Sequence, residues 1–539
     1  MFRSIRQRLS LPFGERETAE PDYRERWTSA TLQRLVREEL GSPQVIVVSN
    51  REPYSHERDA DGRTRVEIPA SGMVAALEPI VRTCAGVWVA HGSGAADREV
   101  VDLHDRVRVP PEDPAYALKR VWLSPEEQRA YYDGFSNEGL WPLCHVAYVR
   151  PVFRDADWDA YCFVNQHFAT AVTRESRQPD PVILIQDYHL ALLPRLVRQR
   201  KPNGTIAFFW HIPWPSAETF GVCPWGKEIV SHLLAADVIG FHTRQYCLNF
   251  LSTAEHLLEC RVDRERMTVT VEGHTCLVAA YPISIECPSP LLENIPCAAI
   301  ARARIRKRHG IGPGVYLGVG VERWDFTKGI VERLHALEAL LVRRPDLRGH
   351  IALLQIVAPS RVRLPAYQTL QRQTLAEIGR INERFAGSSW RPIVLVDRQQ
   401  SPEQVLELFR AADFCLVNSL HDGMNLVSKE FVAARDDEDG VLILSTFAGA
   451  SRELVEALIV NPFCIAETAA AIEAAIAMRR EERRERMRLM RRTIMYNNVY
   501  RWAGRMLLDV AQVRRRRGLP VEWRASELRH REDQSARLA

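Results

Sequence analysis

From Val45 onward, short apolar runs rich in Val and Ile alternate with longer stretches of helical periodicity, the pattern of βαβ units around a parallel sheet. The clearest early runs are Val45–Val48, Val182–Ile185, Ile206–Trp210 and Val238–Phe241. A second series comprises Val315–Val321, Ile351–Val357, Ile393–Val396, Phe414–Val417, Val441–Leu444 and Leu458–Val460. Proline punctuates the stretch from Pro282 to Pro296 between them, which predicts a linker between two doubly wound, Rossmann-like α/β domains, 44–285 and 286–480. Residues 1–43 read as an extension with one amphipathic helix over Ala30–Leu40, its apolar face Leu32, Leu35, Val36 and Leu40 and its stop Gly41. Beyond Arg479 the pattern turns helical to about Gln512. Residues 481–512 are expected to pack back across the domains, ahead of an Arg-rich tail, 513–539.

Open α/β sheets bind ligands beyond the carboxyl ends of their strands. Here those ends carry Ser49–Arg51 (SNR), Gln186–His189 (QDYH), His211–Pro215 (HIPWP), Glu322–Gly329 (ERWDFTKG), Ala358–Arg361 (APSR) and His421–Asn425 (HDGMN). One such cluster fits a turn or a cap; six at strand exits favour a cleft that binds a ligand. Gly92-Ser93-Gly94, after the apolar run Gly86–Ala90, imitates a dinucleotide fingerprint. Its third glycine position is Asp97, and no amphipathic helix follows before Pro110-Pro111, so no nicotinamide site is expected.

The chain is long enough for two cores at 539 residues, and 46% hydrophobic with 26% charged residues is a globular balance. A net charge of +4, with the Arg-rich stretches mixed with or flanked by Glu, gives no basic patch interleaved with stacking aromatics, so a nucleic-acid partner is not expected. The 11 cysteines are scattered without a Cys-x-x-Cys pair, which fits a reducing cytoplasm better than a disulfide framework or a zinc knuckle. No apolar run approaches the roughly 18 residues of a bilayer span, and no signal peptide is read at the N-terminus, where Met1–Phe13 resembles a frayed basic tail. One bias sharpens the search. Of 72 basic residues only Lys119, Lys201, Lys227, Lys307, Lys328 and Lys429 are lysine, so a retained lysine marks a place where Arg does not serve.

Arg323 and Lys328 sit at a strand exit beside a helix start, with Thr327 as the expected cap of a helix through Ile330, Leu334, Leu337 and Leu341. A guanidinium fork, an ammonium and a helix N-terminus each favour an anion, which predicts a diphosphate site. A surface salt bridge from Arg323 to Asp325 or Glu322 is the bland alternative. In the second cluster, Asp422 to Asn425 opens a helix through Leu426, Val427 and Phe431. Gly423 permits close backbone approach, Asp422 is an acceptor for sugar hydroxyls or merely an N-cap, and Glu430 is an acceptor for ribose hydroxyls.

The segments VVSNRE, YYDGFSNEGLWP, QDYHLALLP, FFWHIPWPSAETF, VERWDFTKG, SLHDGMNLVSKEFVAAR and LSTFAGASREL run in order from residue 45 to about 455. They resemble those of the trehalose-6-phosphate synthase family, glycosyltransferase family 20: retaining glucosyltransferases of the two-domain GT-B fold, with the domains facing a cleft. The resemblance implies that Arg323 and Lys328 bind the donor diphosphate, which Gly72 touches by its backbone. Asp422, Gly423, Met424 and Asn425 would hold the transferred glucose, with Leu426 and Val427 at the nucleotide and Glu430 on the ribose. His211 would lie beside the reacting carbon, making Arg323, Lys328, His211 and Asp422 the catalytic set. Arg51, Tyr132 and Arg361 would meet the acceptor phosphate, and Trp141 and Asp187 would complete the acceptor pocket.

The resemblance further implies transfer from UDP-glucose to glucose 6-phosphate with no cofactor and no metal, by same-face attack in which the proton passes to the leaving phosphate. Asp187 as nucleophile or base is the alternative. Two positions depart from the family: His91 stands where an aromatic of a Trp-Ser-Gly segment is expected, and Ser71-Gly72 where paired glycines are. The acceptor therefore stays open between glucose 6-phosphate and another phosphorylated acceptor, such as glycerol 3-phosphate or a cyclitol phosphate. A silent regulatory homologue is the remaining reading. No phosphatase is read after the terminal helices, so a separate one is expected to act on the product, and a homo-oligomer is left open.

Overall fold

The computed structural model describes residues 26–59, 61–68, 72–385 and 390–518. The Met1–Phe13 tail, Ser71 and the last part of the Arg-rich tail lie outside the described residues. Two large sheets organise the chain. In the first, Val45–Val48 is flanked in parallel by Val182–Gln186 and Val87–His91. Thr205–Phe209, Val238–Phe241 and His274–Ala280 continue the parallel order on one side. Thr268–Val271 and Arg261–Asp263 then close that edge antiparallel. On the other side come Tyr116–Val121, parallel, and Arg106–Val109, antiparallel. The second sheet is parallel throughout, in the order Ile393–Asp397, Ile351–Ala358, Tyr316–Arg323, Phe414–Val417, Val441–Ser445, Leu458–Val460.

Central parallel strands are covered on both faces, which is why they read as unbroken apolar runs: every residue of Val45–Val48, Val182–Gln186 and Val441–Ser445 is buried. Strands that periodicity did not reveal lie towards the edges. Arg106–Val109 alternates charge with valine, Tyr116–Val121 carries Lys119 and Arg120, and Ser55–Arg58 pairs with Thr64–Glu67 as a separate polar hairpin.

The helix of the N-terminal extension spans Ser29–Leu40, capped by Thr28, which accepts from the Thr31 N–H, and ended by Gly41 at φ 72°. It packs on Gly72–Cys84 and on the last helix, Val499–Arg516. Just before it, the Trp27 ring lies so close to Gly504 that a Cβ there would come within 2.0 Å. Arg480–Tyr496 packs against Leu426–Ala434, on the second sheet's side. After the break at Asn497-Asn498, Val499–Arg516 crosses to lie on Thr205–Phe209 and Val238–Phe241 of the first sheet. Tyr281 donates to Asp509 at 2.5 Å and Tyr500 to Glu286 at 2.6 Å, tying this helix to the segment that joins the sheets. Among the described residues no helix is long and apolar enough to cross a membrane.

Candidate functional site

The strand Tyr316–Arg323 delivers Arg323 at its carboxyl end, and the chain then turns sharply. Asp325, not Thr327, organises the turn. Its carboxylate accepts from Thr327 N at 3.1 Å and from Thr327 Oγ1 at 2.9 Å, and the helix Ile330–Arg343 starts from Gly329 at φ 64°. The expected Thr327 cap is thereby corrected: its hydroxyl is engaged by Asp325, and a left-handed glycine opens the helix. Arg323 does approach Asp325, at 3.5 Å, but this is no surface pair, since Asp325 is fully buried. Glu322 pairs instead with Arg333.

Arg361 comes from the neighbouring strand exit, also reaches Asp325, at 3.3 Å, and is itself buried. Burial alone would raise the Asp325 carboxyl; the guanidinium groups of Arg361 and Arg323 and the Lys328 ammonium hold it below the ordinary aspartate value. The Trp141 ring lies beside both arginines, its centroid 4.0 Å from the Arg361 guanidinium carbon and 5.1 Å from that of Arg323. Arg323 Nε lies 3.5 Å from Asp325 Oδ2, and the Arg361 Nε is buried with no hydrogen bond among the described residues.

Lys328 Nζ donates to Asp422 Oδ2 at 2.5 Å. Asp422 also accepts from Ser419 Oγ at 3.2 Å and Asn425 Nδ2 at 3.1 Å. Burial alone would raise its carboxyl; Lys328 above all, with His145 and Asn425, brings it down to about 2. The N-cap of Leu426–Ala434 is Asn425, at φ 76°, whose side chain accepts from the Ser428 N–H; Asp422 is thus free of capping and faces Lys328. Met424 is buried among core residues. Leu426 and Val427 stay half-buried at the helix start. Glu430 is half-buried too, and burial pushes its carboxyl up to about 7. Lys429 turns the other way, onto Ile283 O at 2.8 Å and Glu453 at 2.6 Å, so this retained lysine ties the helix to the segment between the sheets.

The first sheet supplies the facing wall. Arg129–Leu140 winds as a π-helix, a form concentrated at functional sites, and presents Tyr132. Arg51 donates to the Tyr132 hydroxyl at 3.1 Å, and His189 stacks on its ring at 5.4 Å. Burial opposes ionisation of Tyr132, yet the charges of Arg51, Arg361 and Arg323 bring the phenol down to about 7. Three guanidinium groups therefore converge where the resemblance places a phosphate. Asp187, at φ 75°, accepts through Oδ1 from the N–H groups of Tyr188 at 2.9 Å and His211 at 3.2 Å. Burial raises its carboxyl to about 6. Burial likewise keeps His211 neutral, its Nε2 2.8 Å from Gln186 Oε1.

The two walls touch at glycines. A Cβ on Gly423 would come within 2.4 Å of the His211 carbonyl oxygen, and one on Gly72 within 2.9 Å of Leu426 Cδ1. His421 Nδ1 donates to His145 O at 2.8 Å across the same junction. Beside Arg51 and Tyr132 lies a cavity of about 190 Å³, lined also by Asn50, Glu52, His91 and Ser93. His91 Nδ1 donates to Val121 O at 3.1 Å; burial disfavours its charged form, and Nε2 is buried with no hydrogen bond among the described residues.

The sequence reading passed over Asp325 as a structural centre, and over Tyr188 and Tyr367. Tyr367 and Tyr188 hydrogen-bond Arg361, Tyr188 at 3.5 Å. The signal for Asp325 was its place between the two singled-out cations. Among the described residues no cluster of three or more His, Cys, Asp or Glu is placed to hold a metal ion.

Two doubly wound sheets meeting at their strand exits, with cations from both around the junction, define a glycosyltransferase of the GT-B class. The Glycosyltransferase family 20 model matches residues 43–512, and the chain belongs to that family. The trehalose-6-phosphate synthase of Mycobacterium avium is 38% identical over 481 residues, covering 88% of this chain and 96% of that protein. Among solved structures, the UDP-forming trehalose-phosphate synthase of Burkholderia xenovorans in complex with glucose-6-phosphate superposes with a TM-score of 0.76 at 32% identity, covering 87% of this chain and 99% of that one. A trehalose-6-phosphate structure from E. coli, bound with UDP-2-fluoro glucose, gives 0.77 at 32% identity with the same coverage.

Proposed function

We propose that the protein transfers glucose from UDP-glucose to glucose 6-phosphate with retention, forming trehalose 6-phosphate and UDP. The observation that carries this is the gathering of Arg51 on Tyr132 and of Arg361 and Arg323 on Asp325 and the Trp141 ring, with Lys328 on Asp422. It provides cationic ground for two phosphorylated partners in one cleft. The relatives bound with UDP-2-fluoro glucose and with glucose-6-phosphate support both choices.

In this mechanism Arg323 and Lys328 take up charge on the diphosphate as the bond from glucose C1 to the phosphate oxygen stretches. The acceptor hydroxyl forms the new bond to C1 on the same face, and its proton passes to the departing phosphate oxygen. Asp422, kept ionised by Lys328, accepts hydrogen bonds from the glucose hydroxyls. Asp187, its Oδ1 engaged by two backbone N–H groups, orients the acceptor. Gly72 and Leu426 close over the nucleotide, and Glu430 takes its ribose.

A second reading, the same donor chemistry on another phosphorylated acceptor, is favoured by His91 and its cavity, where the family resemblance leads one to expect an aromatic. Purified protein given UDP-glucose and a panel of phosphorylated acceptors, with products weighed by mass spectrometry, separates the two. Trehalose 6-phosphate is the expected product. UDP release with a different acceptor alone transfers the conclusion to the second reading.

A further inference from the structure

The glycine loop that imitates a dinucleotide fingerprint is anchored by buried charges that the proposed reaction does not use. Arg120 and Asp97 are fully excluded from solvent, and Glu52 and His56 nearly so. Arg120 pairs with the Glu52 carboxylate through Nη1, and its Nη2 meets Asp97 Oδ1 at 2.7 Å and Tyr54 O at 2.8 Å. Asp97 in turn accepts from His56 N at 2.9 Å and Gly94 N at 2.8 Å. Glu52 Oε1 accepts from Ser93 N at 3.1 Å and Ser93 Oγ at 2.6 Å.

Burying such charges is costly, and well-packed apolar residues often serve stability as well or better. What this cluster fixes is a position. Arg120 grips Glu52 and Tyr54, which closely follow Arg51 in the chain. From the other side, Trp88 Nε1 donates to Ser49 Oγ at 2.7 Å, and Ser49 Oγ donates to Arg51 O at 2.6 Å. The Arg51 backbone is thus clamped at both ends, and its guanidinium is aimed at Tyr132. We propose that Arg120 is a positioning residue for acceptor recognition: acting through Glu52, it fixes the turn that carries Arg51 onto the acceptor phosphate. This rests on the reading of Arg51 given above. It needs no contact between Arg120 and substrate, and misplacement of Arg51 by about 1 Å is enough to cost on the order of 100-fold.

The test compares wild type with Arg120→Leu and with Glu52→Gln, which keeps the shape of the turn and weakens the grip if Arg120→Leu does not fold. Expected are a KM for glucose 6-phosphate raised tenfold or more and a KM for UDP-glucose and a kcat at saturating acceptor within about twofold of wild type, since only the acceptor side is disturbed. Arg120→Lys should recover part of the loss, as an ammonium cannot hold Glu52, Tyr54 and Asp97 together. A substrate-free readout accompanies this. The Tyr132 phenolate absorbance, taken as the difference from Tyr132→Phe, should titrate at higher pH in both variants, because a displaced Arg51 no longer holds the phenol down. An unmoved acceptor KM in folded variants overturns the inference, and so does a parallel loss in both KM values and kcat. If wild type turns over no glucose 6-phosphate, the proposed reaction falls on its own. The Tyr132 titration then still decides whether Arg120 positions Arg51: an unmoved titration overturns it, a raised one upholds it.

Discussion

Lys328 Nζ lies 2.5 Å from Asp422 Oδ2, so the cation assigned to the diphosphate is already held by the carboxylate assigned to the sugar. The pair helps keep the Asp422 carboxylate charged inside a cleft where burial disfavours charge. Lys328→Ala removes one donor to the leaving group and is expected to lower kcat by about 100- to 1,000-fold. It also removes the cation that most opposes burial at Asp422, so the carboxyl, now held at about 2, should rise. Its contribution to stability, present above the ordinary aspartate value and lost as pH falls through about 2, should disappear. Lys328→Arg should not restore the rate, since a planar fork does not replace a compact ammonium. Steady-state rates with wild-type turnover in Lys328→Ala would remove the clamp from the mechanism.

Tyr132 should make acceptor recognition sensitive to alkali. Its phenol titrates at about 7, brought down against burial by Arg51, Arg361 and Arg323. Above that pH a phenolate shares the site with the acceptor phosphate and repels it. The KM for glucose 6-phosphate is therefore expected to rise between pH 7 and 9, opposite in direction to any change in the donor KM. Tyr132→Phe should flatten this limb. The effect on stability has the reverse sign: a depressed phenol contributes nothing below about 7 and its full share above the unfolded value of 10.0. A flat acceptor KM in wild type across that range would disprove the assignment.

Glu430 carries the opposite sign. Burial lifts its carboxyl to about 7, so the folded state is not weakened by it below the ordinary value of 4.5 and loses stability as pH rises from there through about 7. Glu430→Gln should be more stable than wild type at pH 8 and indistinguishable from it at pH 4, by thermal melts. Ribose hydroxyls donate best to the ionised form, so the KM for UDP-glucose should fall as pH rises from 6 to 8. The Gln variant should lose that dependence and bind the donor about tenfold more weakly. A donor KM indifferent to Glu430→Gln would move the ribose contact elsewhere.

How much of this was legible in the sequence depended on what each residue had to satisfy. Val45–Val48, Val238–Phe241 and Phe414–Val417 are strands at the limits their apolar runs predict, because burial on both faces leaves the sequence no alternative, and the edge strand Leu458–Val460 matches its run as well. Tyr116–Val121 hid behind Lys119 and Arg120, whose charges are neutralised by partners distant in sequence, Asp105, Glu52 and Asp97. The role expected of Thr327 went to Asp325 and Gly329 for the same reason: Asp325 is fixed by Arg361, 36 residues away. Arg323, Lys328, Asp422 and Arg361 could be singled out as polar groups at strand exits, and the structure brings them together. The grip of Arg120 on Glu52 could not, since the two lie on separate segments and each looks like an ordinary surface charge.

Gly423 tests whether the two walls must meet. Its Cα faces the His211 carbonyl oxygen, which also accepts from His242 Nε2 at 2.9 Å and so cannot easily turn away. Gly423 is not among the glycines of positive φ, so alanine costs nothing in backbone strain and acts only through its methyl group. That methyl would sit 2.4 Å from backbone oxygen, closer than any Cβ contact tolerates. Gly423→Ala should therefore push the Asp422–Asn425 turn off the first sheet, destabilise the fold by about 1–3 kcal/mol in denaturant unfolding, and lower kcat/KM for both substrates. The accompanying shift of the Asp422–Asn425 turn distinguishes this from simple instability: at a temperature where the variant is fully folded, the rate deficit should persist. Full recovery of turnover under those conditions would mean that closure at Gly423 serves stability alone and that the sugar is held without it.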